Sequence, residues 1–419
     1  MKKINSRLVL VIGMAVSTLA ITSCKKKGCT DENATNYNEK AKKDDNSCEY
    51  SSSPQTGQSS YTLENVNVNG IDYVKVTGTI NESITFSAAD KYLLSGGVFV
   101  DNDAVLTIQA GTIIYAADDN TTPFLAIQRG AKISAVGAEN SPIVFTSIKS
   151  NPQSGDWGGI IINGRAPVNN GVDPIGEGQT GVYGGTAVSD NSGIMSYVRL
   201  EYAGKQLTAD NELNGFSFNG VGNGTTLNNL QAFKCADDGF EFFGGTVNLT
   251  NALSYGAGDD SFDWTYGWSG TGTNWEAIQD VGTGDRGIEG DNNGSNNEAS
   301  PYSNPTLDNI RLVGNTAAAG KTGIKLREGM KATITNVSIE KFEKGIEVEH
   351  DVTLNHVVSG DLTASGISVV NVTTAVNFKS SNSANPTLES SAASSGNVVV
   401  DSSANVSSAW KSGSWIRSL

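Results

Sequence analysis

Three short segments concentrate the side chains able to do chemistry: Asp237-Asp-Gly-Phe-Glu241, Asp259-Asp-Ser-Phe-Asp263 and Asp285-Arg-Gly-Ile-Glu289. They follow one another at intervals of 22 and 26 residues. Superposed on the residue before each buried-phase Phe or Ile, they sort into columns. Asp237, Asp259 and Asp285 share one position, Asp238, Asp260 and Arg286 the next, and Glu241, Asp263 and Glu289 a third that alternates with the apolar residues and so faces outward. Upstream, Asn214 and Ser217 occupy the second and third columns, and downstream the third continues as Lys325, Glu347 and Ser368. Carboxylates one strand apart repel by roughly 3 kcal/mol at an effective dielectric near 20. Protons, turn amides or a cation must offset that. An all-oxygen set of this size suits Ca²⁺, which takes six to eight oxygen ligands. Paired carboxyls could also act as acid and base on a glycosidic bond. Against both stands the reading in which the Asp pairs only cap their turns and the outward acids are solvated.

The element that positions such columns must repeat. Leu106-Thr-Ile-Gln-Ala-Gly111-Thr-Ile-Ile114 recurs 19 residues later as Leu125-Ala-Ile-Gln-Arg-Gly130-Ala-Lys-Ile133. A second series, led by Gly215, Gly239, Ser261, Gly287, Gly323, Gly345 and Gly366, runs at spacings near 22, with one gap of 36 holding the polar insert 291–305. Short alternating strands separated by Gly, Asn and Asp at this period predict a right-handed parallel β-helix of about 11 to 13 coils, each stacked at strand spacing. A leucine-rich repeat would add Leu at fixed steps and an Asn ladder, and neither is visible. Residues 61–100 and 410–419 are expected to cap the two ends of the stack. Phe240, Phe242 and Phe262 fall in the buried phase. Tyr266, Trp268 and Trp275 lie in or beside the Gly/Thr-rich stretch 265–274, outside the repeat, where exposed rings beside acids could stack on sugars.

Composition agrees with one long β domain. Of 419 residues 48 are Gly, and only 17% are charged, which is too glycine-rich for a helical chain. The net charge of −15 argues against nucleic acid as a partner. Lys2, Lys3 and Arg7 precede an apolar run from Leu8 to Ile21, a secretory signal too short to span a membrane as a mature helix. This sets the domain boundaries: a signal peptide at 1–23, a small module at 24–50, a Ser-rich linker at 51–60 and the β-helix at 61–419. An oxidising compartment favours a bridge between Cys29 and Cys48, worth on the order of 3 kcal/mol. Cys235 reads as a buried small hydrophobe.

Several resemblances add to this. Ile21-Thr-Ser-Cys24 resembles the lipobox of bacterial lipoproteins, which implies cleavage before Cys24, lipidation of its thiol and an outer-membrane anchor. Lys25-Lys-Lys27 departs from the acidic segment that marks surface export, so periplasmic and surface orientations stay open. The segment Gly28 to Cys48 resembles a small disulfide-closed module of Bacteroidota envelope proteins. Pro142-Ile-Val-Phe-Thr-Ser147, Gly155-Asp-Trp-Gly-Gly-Ile160 and Ile162-Asn-Gly-Arg-Ala-Pro167 resemble a family of β-helix lipoproteins of the same envelopes. That implies fold and address, with no settled activity. The acidic segments resemble the calcium-binding coils of β-helix pectate lyases, which implies Ca²⁺ and a Lys or Arg base, for which Lys234 and Arg286 are the nearby residues. Gly258-Asp-Asp260 is also similar to one motif of polygalacturonases, but the accompanying histidine and basic motifs are missing. The preferred expectation is a non-catalytic binding or structural role, toward a polysaccharide or an envelope protein complex. Asp237, Asp238, Glu241, Asp259, Asp260, Asp263, Asp285 and Glu289 are the metal candidates, and Arg286, Tyr266, Trp268 and Trp275 the ligand contacts. The alternative is a calcium-dependent polysaccharide lyase or related glycan-active enzyme.

Overall fold

The computed structural model describes residues 38, 40, 60–208, 211–315, 321–381 and 384–417. The signal peptide, Cys24, Cys29, Cys48 and all but the last residue of the linker lie outside the described residues. Residues Met1–Gln58 and Ser59–Leu419 form separate units, and the described strands all belong to the second.

Apart from Ser60–Val68 and the small hairpin of Gln206–Thr208 and Asn211–Glu212, these strands pair in parallel, coil on coil, into three sheets. In the first, eleven strands run from Ile71–Ile80 and Lys91–Val100 through Phe124–Ile127, Ile160–Asn163, Phe216–Asn219, Phe240–Phe243, Phe262–Thr265 and Arg286–Gly290 to Thr322–Leu326, Lys344–Glu349 and Thr374–Lys379. The other two sheets share long strands such as Thr226–Phe233, Asn248–Tyr255 and Thr271–Ile278, whose halves lie on either side of a bend. This is the parallel β-helix expected from the period. Eleven strands meet the lower end of the expected 11 to 13 coils, and residues leave the stack in the excursions at 164–192, 203–213 and 291–305 and in a C-terminal tail.

Two parts of the repeat differ from expectation. Leu106 pairs with Ile133, 27 residues on, while Leu125 pairs with Val98 and Ile160. The 19-residue echo therefore relates strands of different sheets, which look alike because both bury alternate aliphatic residues. Gly345 is followed in its column by Ala375 rather than Gly366, since Ile346 pairs with Val376 and Glu347 with Asn377. Helix α1 (Asp351–Ser359) lengthens that coil, and Ser368 belongs to another sheet, opposite Ser338. For the rest, the glycine column results from close approach. A Cβ at Gly239 would lie 2.8 Å from the Ser261 carbonyl oxygen, and one at Gly287 would lie 2.7 Å from the Gly323 carbonyl oxygen.

The core is a continuous file of side chains from successive coils. Phe216, Phe240 and Phe262 stack at 5.0 and 5.2 Å between ring centres, and Phe262 continues onto Trp275 at 4.5 Å. Each such contact adds roughly 0.5–1.5 kcal/mol beyond area burial.

The bend between the second and third sheets carries an Asn ladder that spacing alone does not reveal. Asn229, Asn251, Asn274, Asn309 and Asn336 all have φ between 52° and 61°, a left-handed conformation that Asn tolerates better than most residues. Their amides bond from coil to coil, with Asn274 Nδ2 donating to Asn251 Oδ1 at 2.7 Å and Asn309 Nδ2 to Asn274 Oδ1 at 2.5 Å. The ladder hides from a search for fixed spacing because inserts vary the interval between its members. Asn274→Gly should keep the bend and lose only the amide contacts, costing about 1 kcal/mol. Asn274→Ala should cost clearly more, since it also strains φ. Urea midpoints of the two variants read the difference, and equal losses would contradict the role of the bend.

One end is closed from within the expected residues 61–100, the other by different elements. Ser60–Val68 and Ile71–Ile80 form an antiparallel hairpin at the first coil. At the other end, α1 and α2 (Pro386–Ser395) pack over the last coils, burying Leu354, Val357 and Ala392. Residues 410–417 do not cap that end. The tail turns back along the side of the stack: Ser407 N donates to Asn309 Oδ1, Lys411 pairs with Glu276, Trp415 N donates to the Glu139 carbonyl, and Arg417 pairs with Glu201. Trp415 is fully buried there, edge-on to Tyr197.

Candidate acidic site

The acidic columns form as registered. Ser217, Glu241, Asp263, Glu289, Lys325 and Glu347 lie opposite one another along the first sheet. Asp238 and Asp260 sit at the turn before it and accept backbone N–H groups from the next coil, Asp260 N to Asp238 Oδ1 at 2.8 Å and Arg286 N to Asp260 Oδ1 at 2.6 Å. The turn-capping reading thus holds for these two acids, through the neighbouring coil rather than their own turn.

The outward acids are largely shielded from solvent, Glu241 and Glu289 being 9% and 7% exposed and Asp263 half-buried; of the turn acids Asp238 and Asp260 are 6% and 2% exposed, Asp237 and Asp285 half-buried and Asp259 exposed. Two excursions cover this face. The glycine-rich flap 164–192 places Glu177 against Asn214, whose Nδ2 donates to Glu177 Oε2 at 3.2 Å and also to Glu241 Oε2. The hairpin of Gln206–Thr208 and Asn211–Glu212 clasps the flap, with Gly178 N donating to Asn211 Oδ1 at 2.8 Å, and brings Glu212 to Asp237. Glu177 and Glu212 lie in excursions and carry no repeat signal, so sequence reasoning misses them. Asn214 is visible in the sequence as the upstream member of the Asp238 column, but its bridging role is not.

Charge compensation is uneven. Arg286 lies among Asp260 (3.7 Å), Asp285 and Glu289 (2.9 Å), and Arg327 pairs with Glu289 (2.5 Å) and Asp291 (2.8 Å). Asp237, Asp238, Glu241 and Asp263 have no ion-pair partner among the described residues. Burial, then the neighbouring carboxylates, pushes Asp238, Glu241, Asp260 and Asp263 well above the ordinary carboxylate range. Burial, then Glu212, raises Asp237 to about 8, and burial, again with Glu212, raises Glu177 to about 7. Burial works against protonated Arg286, but Asp260, Glu289 and Asp285 outweigh it and raise its pKa. Lys234 points elsewhere, pairing with Asp280 at 3.0 Å.

Ligand spacing fits a cation. Four overlapping triads each place one oxygen per residue within 4.8 Å of the others: Asp237, Asp238 and Asp259; Asp238, Glu241 and Asp263; Asp259, Asp260 and Asp285; Asp260, Asp263 and Glu289. Oxygens on one Ca²⁺, each at 2.3–2.6 Å, can be no more than about 5 Å apart. Two buried oxygens, Asp263 Oδ1 and Asn214 Oδ1, have no hydrogen-bond partner. Flipping the Asn214 amide does not help, because its oxygen would then face two carboxylates.

Residues 78–416 match the pectate-lyase-like β-helix domain. The chain belongs to that family. No curated protein and no solved structure matches it. In this pectate-lyase-like β-helix the expected aromatic platform is absent. Trp268 and Trp275 are 0% and 1% exposed and stack in the core on Phe242 (4.3 Å) and Phe262 (4.5 Å). The stretch 265–274 belongs to the coil, since Thr271–Ile278 is a regular strand between Asn248–Tyr255 and Thr306–Val313. Only Tyr266 stays half-buried, beside Phe243. Cys235 is buried and free, and burial lifts its thiol to about 12.

Proposed function

We propose that this protein is an envelope β-helix, anchored through a lipidated Cys24, whose acidic column holds Ca²⁺ and whose role is non-catalytic binding of glycan. The observation that carries the cation reading is the pair of buried, unpartnered oxygens on Asp263 and Asn214, set among carboxylates without an ion-pair partner among the described residues. Glu241, Asp263, Asp238 and Asp260 would supply most ligands, and a bound cation would replace the protons these groups otherwise need. The pectate-lyase-like fold supports the glycan part.

The lyase alternative needs a base beside the acids. Arg286 is held protonated by three carboxylates, and Lys234 is paired with Asp280 outside the column, so no free base stands beside the acids among the described residues. Incubating the full chain with polygalacturonate and Ca²⁺ should yield no unsaturated product in the ultraviolet. Product formation that Arg286→Lys abolishes would overturn the non-catalytic reading.

The flap offers a second test. With the cation in place, Glu177 and Asn214 hold the flap onto Glu241, and without it, above about pH 8 where Glu177 and Asp237 lose the protons that otherwise neutralise them, the acids around the flap repel one another. At such a pH chelation should therefore speed proteolysis at the exposed Val172–Ile175 tip, and Glu177→Gln, which removes one of the repelling charges, should blunt the effect. Cleavage indifferent to chelator would contradict this link.

A further inference from the structure

Away from the acidic face, a second surface has the makings of a binding site. At the outer corner where the third sheet turns toward the first, a depression of about 720 Å³ lies between the N-terminal hairpin and the stack, and one of about 340 Å³ lies further along. Asn151 lines both, so the two depressions adjoin at the loop around it and are taken together as one groove. From Lys75, the register runs through Leu93 and Tyr115 to Thr146, whose Oγ1 donates to Glu201 Oε2 at 2.9 Å, and from Glu201 to Phe233, next to Lys234. At about 4.8 Å per coil that is about 24 Å along the stack axis, the reach of an extended oligomer rather than of a single small molecule.

The lining alternates two kinds of contact. Val66, Val68, Leu93 and Ile148 give the larger depression an apolar floor, and Tyr202 lies in the smaller one. Along the groove stand three part-exposed lysines, each facing aspartate: Lys75 with Asp119 at 3.4 Å, Lys149 with Asp156 at 2.8 Å and Asp118 at 3.6 Å, and Lys234 with Asp280 at 3.0 Å. Every pair sets a donor beside an acceptor, which is what a hydroxyl, itself both, can use. Exposed Asn151, Gln153 and Ser154 add more of the same chemistry. Three ammoniums against four carboxylates leave no positive excess, so the groove has nothing with which to favour a polyanion.

We infer that this corner groove binds an uncharged, extended oligosaccharide, its C–H faces on the apolar floor and its hydroxyls on the Lys–Asp pairs. The inference rests on the glycan-binding reading and names its ligand class, while placing the sugar away from the acidic column.

The test is calorimetric titration of the full chain with cellohexaose, mannohexaose, xylohexaose and, as the charged comparison, an oligogalacturonide, each with Ca²⁺ and with chelator. At least one neutral sugar should bind equally with and without Ca²⁺, and Lys149→Met should weaken it by about tenfold or more. The exposed-loop variant Gln153→Ala should weaken it less while leaving the fold intact, which separates loss of contact from loss of structure. Absence of binding by all three neutral sugars at millimolar concentration overturns the inference, as does neutral-sugar binding that both variants leave unchanged. Binding of the oligogalacturonide alone, abolished by chelator and untouched by Lys149→Met, overturns the groove but keeps the glycan reading. If no sugar of either kind binds, the glycan reading fails as well.

Discussion

Calcium is expected to raise the thermal midpoint of this protein, and the double change Asp260→Asn, Asp263→Asn to abolish that rise. A ligand present at about a hundred times its Kd, bound only by the folded chain, adds about 2.7 kcal/mol. Asn at both positions keeps an oxygen in place, including the one that accepts Arg286 N, but removes two charges from the centre of the overlapping triads. The raised carboxyls also set the dependence on pH. Burial and neighbouring acids lift Asp237 to about 8 and Glu177 to about 7, while the unfolded chain titrates near 4. The folded state therefore binds more protons. Its advantage is complete below about pH 4 and is lost as the pH rises through about 7 to 8. In chelator the midpoint should fall across that window. Calcium competes with the same protons, so its stabilising increment should grow over the same range. A wild-type midpoint indifferent to Ca²⁺ at pH 8 would sink the cation reading.

The second large effect concerns the tail. Trp415→Ala should destabilise by about 3–5 kcal/mol, the usual cost of emptying a buried Trp site, although the residue lies close to the end of the sequence and outside every coil. Its ring is fully buried against Tyr197, and the backbone around it is held by Glu139 and Arg199. The denaturant midpoint of the variant measures this. A loss under about 1 kcal/mol would mean that the tail merely lies on the surface.

What is legible in the sequence is what repeats. Phe216, Phe240 and Phe262 announce the inner face of one sheet, and the alternate positions Ser217, Glu241 and Asp263 announce its outer face, because side chains alternate strictly along a strand. Register along that sheet can therefore be read up to Glu347, and it fails where helix α1 enters the coil and displaces Gly366 to another corner. Whatever leaves the stack is not legible. Glu177 and Glu212 sit in excursions without periodicity, yet they decide that the outward acids are buried rather than solvated. Trp268 and Trp275 mislead for the converse reason. Their Gly/Thr-rich surroundings look like a loop, but Gly272 is small because a Cβ there would lie 2.6 Å from the Trp275 ring. The glycine makes room for a core tryptophan within a strand.

Hydrogen bonds join Arg199 to Ser414 and Gln231 to Arg417, across 215 and 186 residues of chain. A bare solenoid has contacts only between neighbouring coils, so it can fray from either end and unzip by steps. Here the last segment is fastened to early coils, which closes the one-dimensional array into a circuit. Early and late coils then share one fate. Unfolding should be all-or-none where a solenoid of this length would otherwise melt in stages, and folding should be slow to finish, because the final contacts wait for a loop spanning half the chain to close.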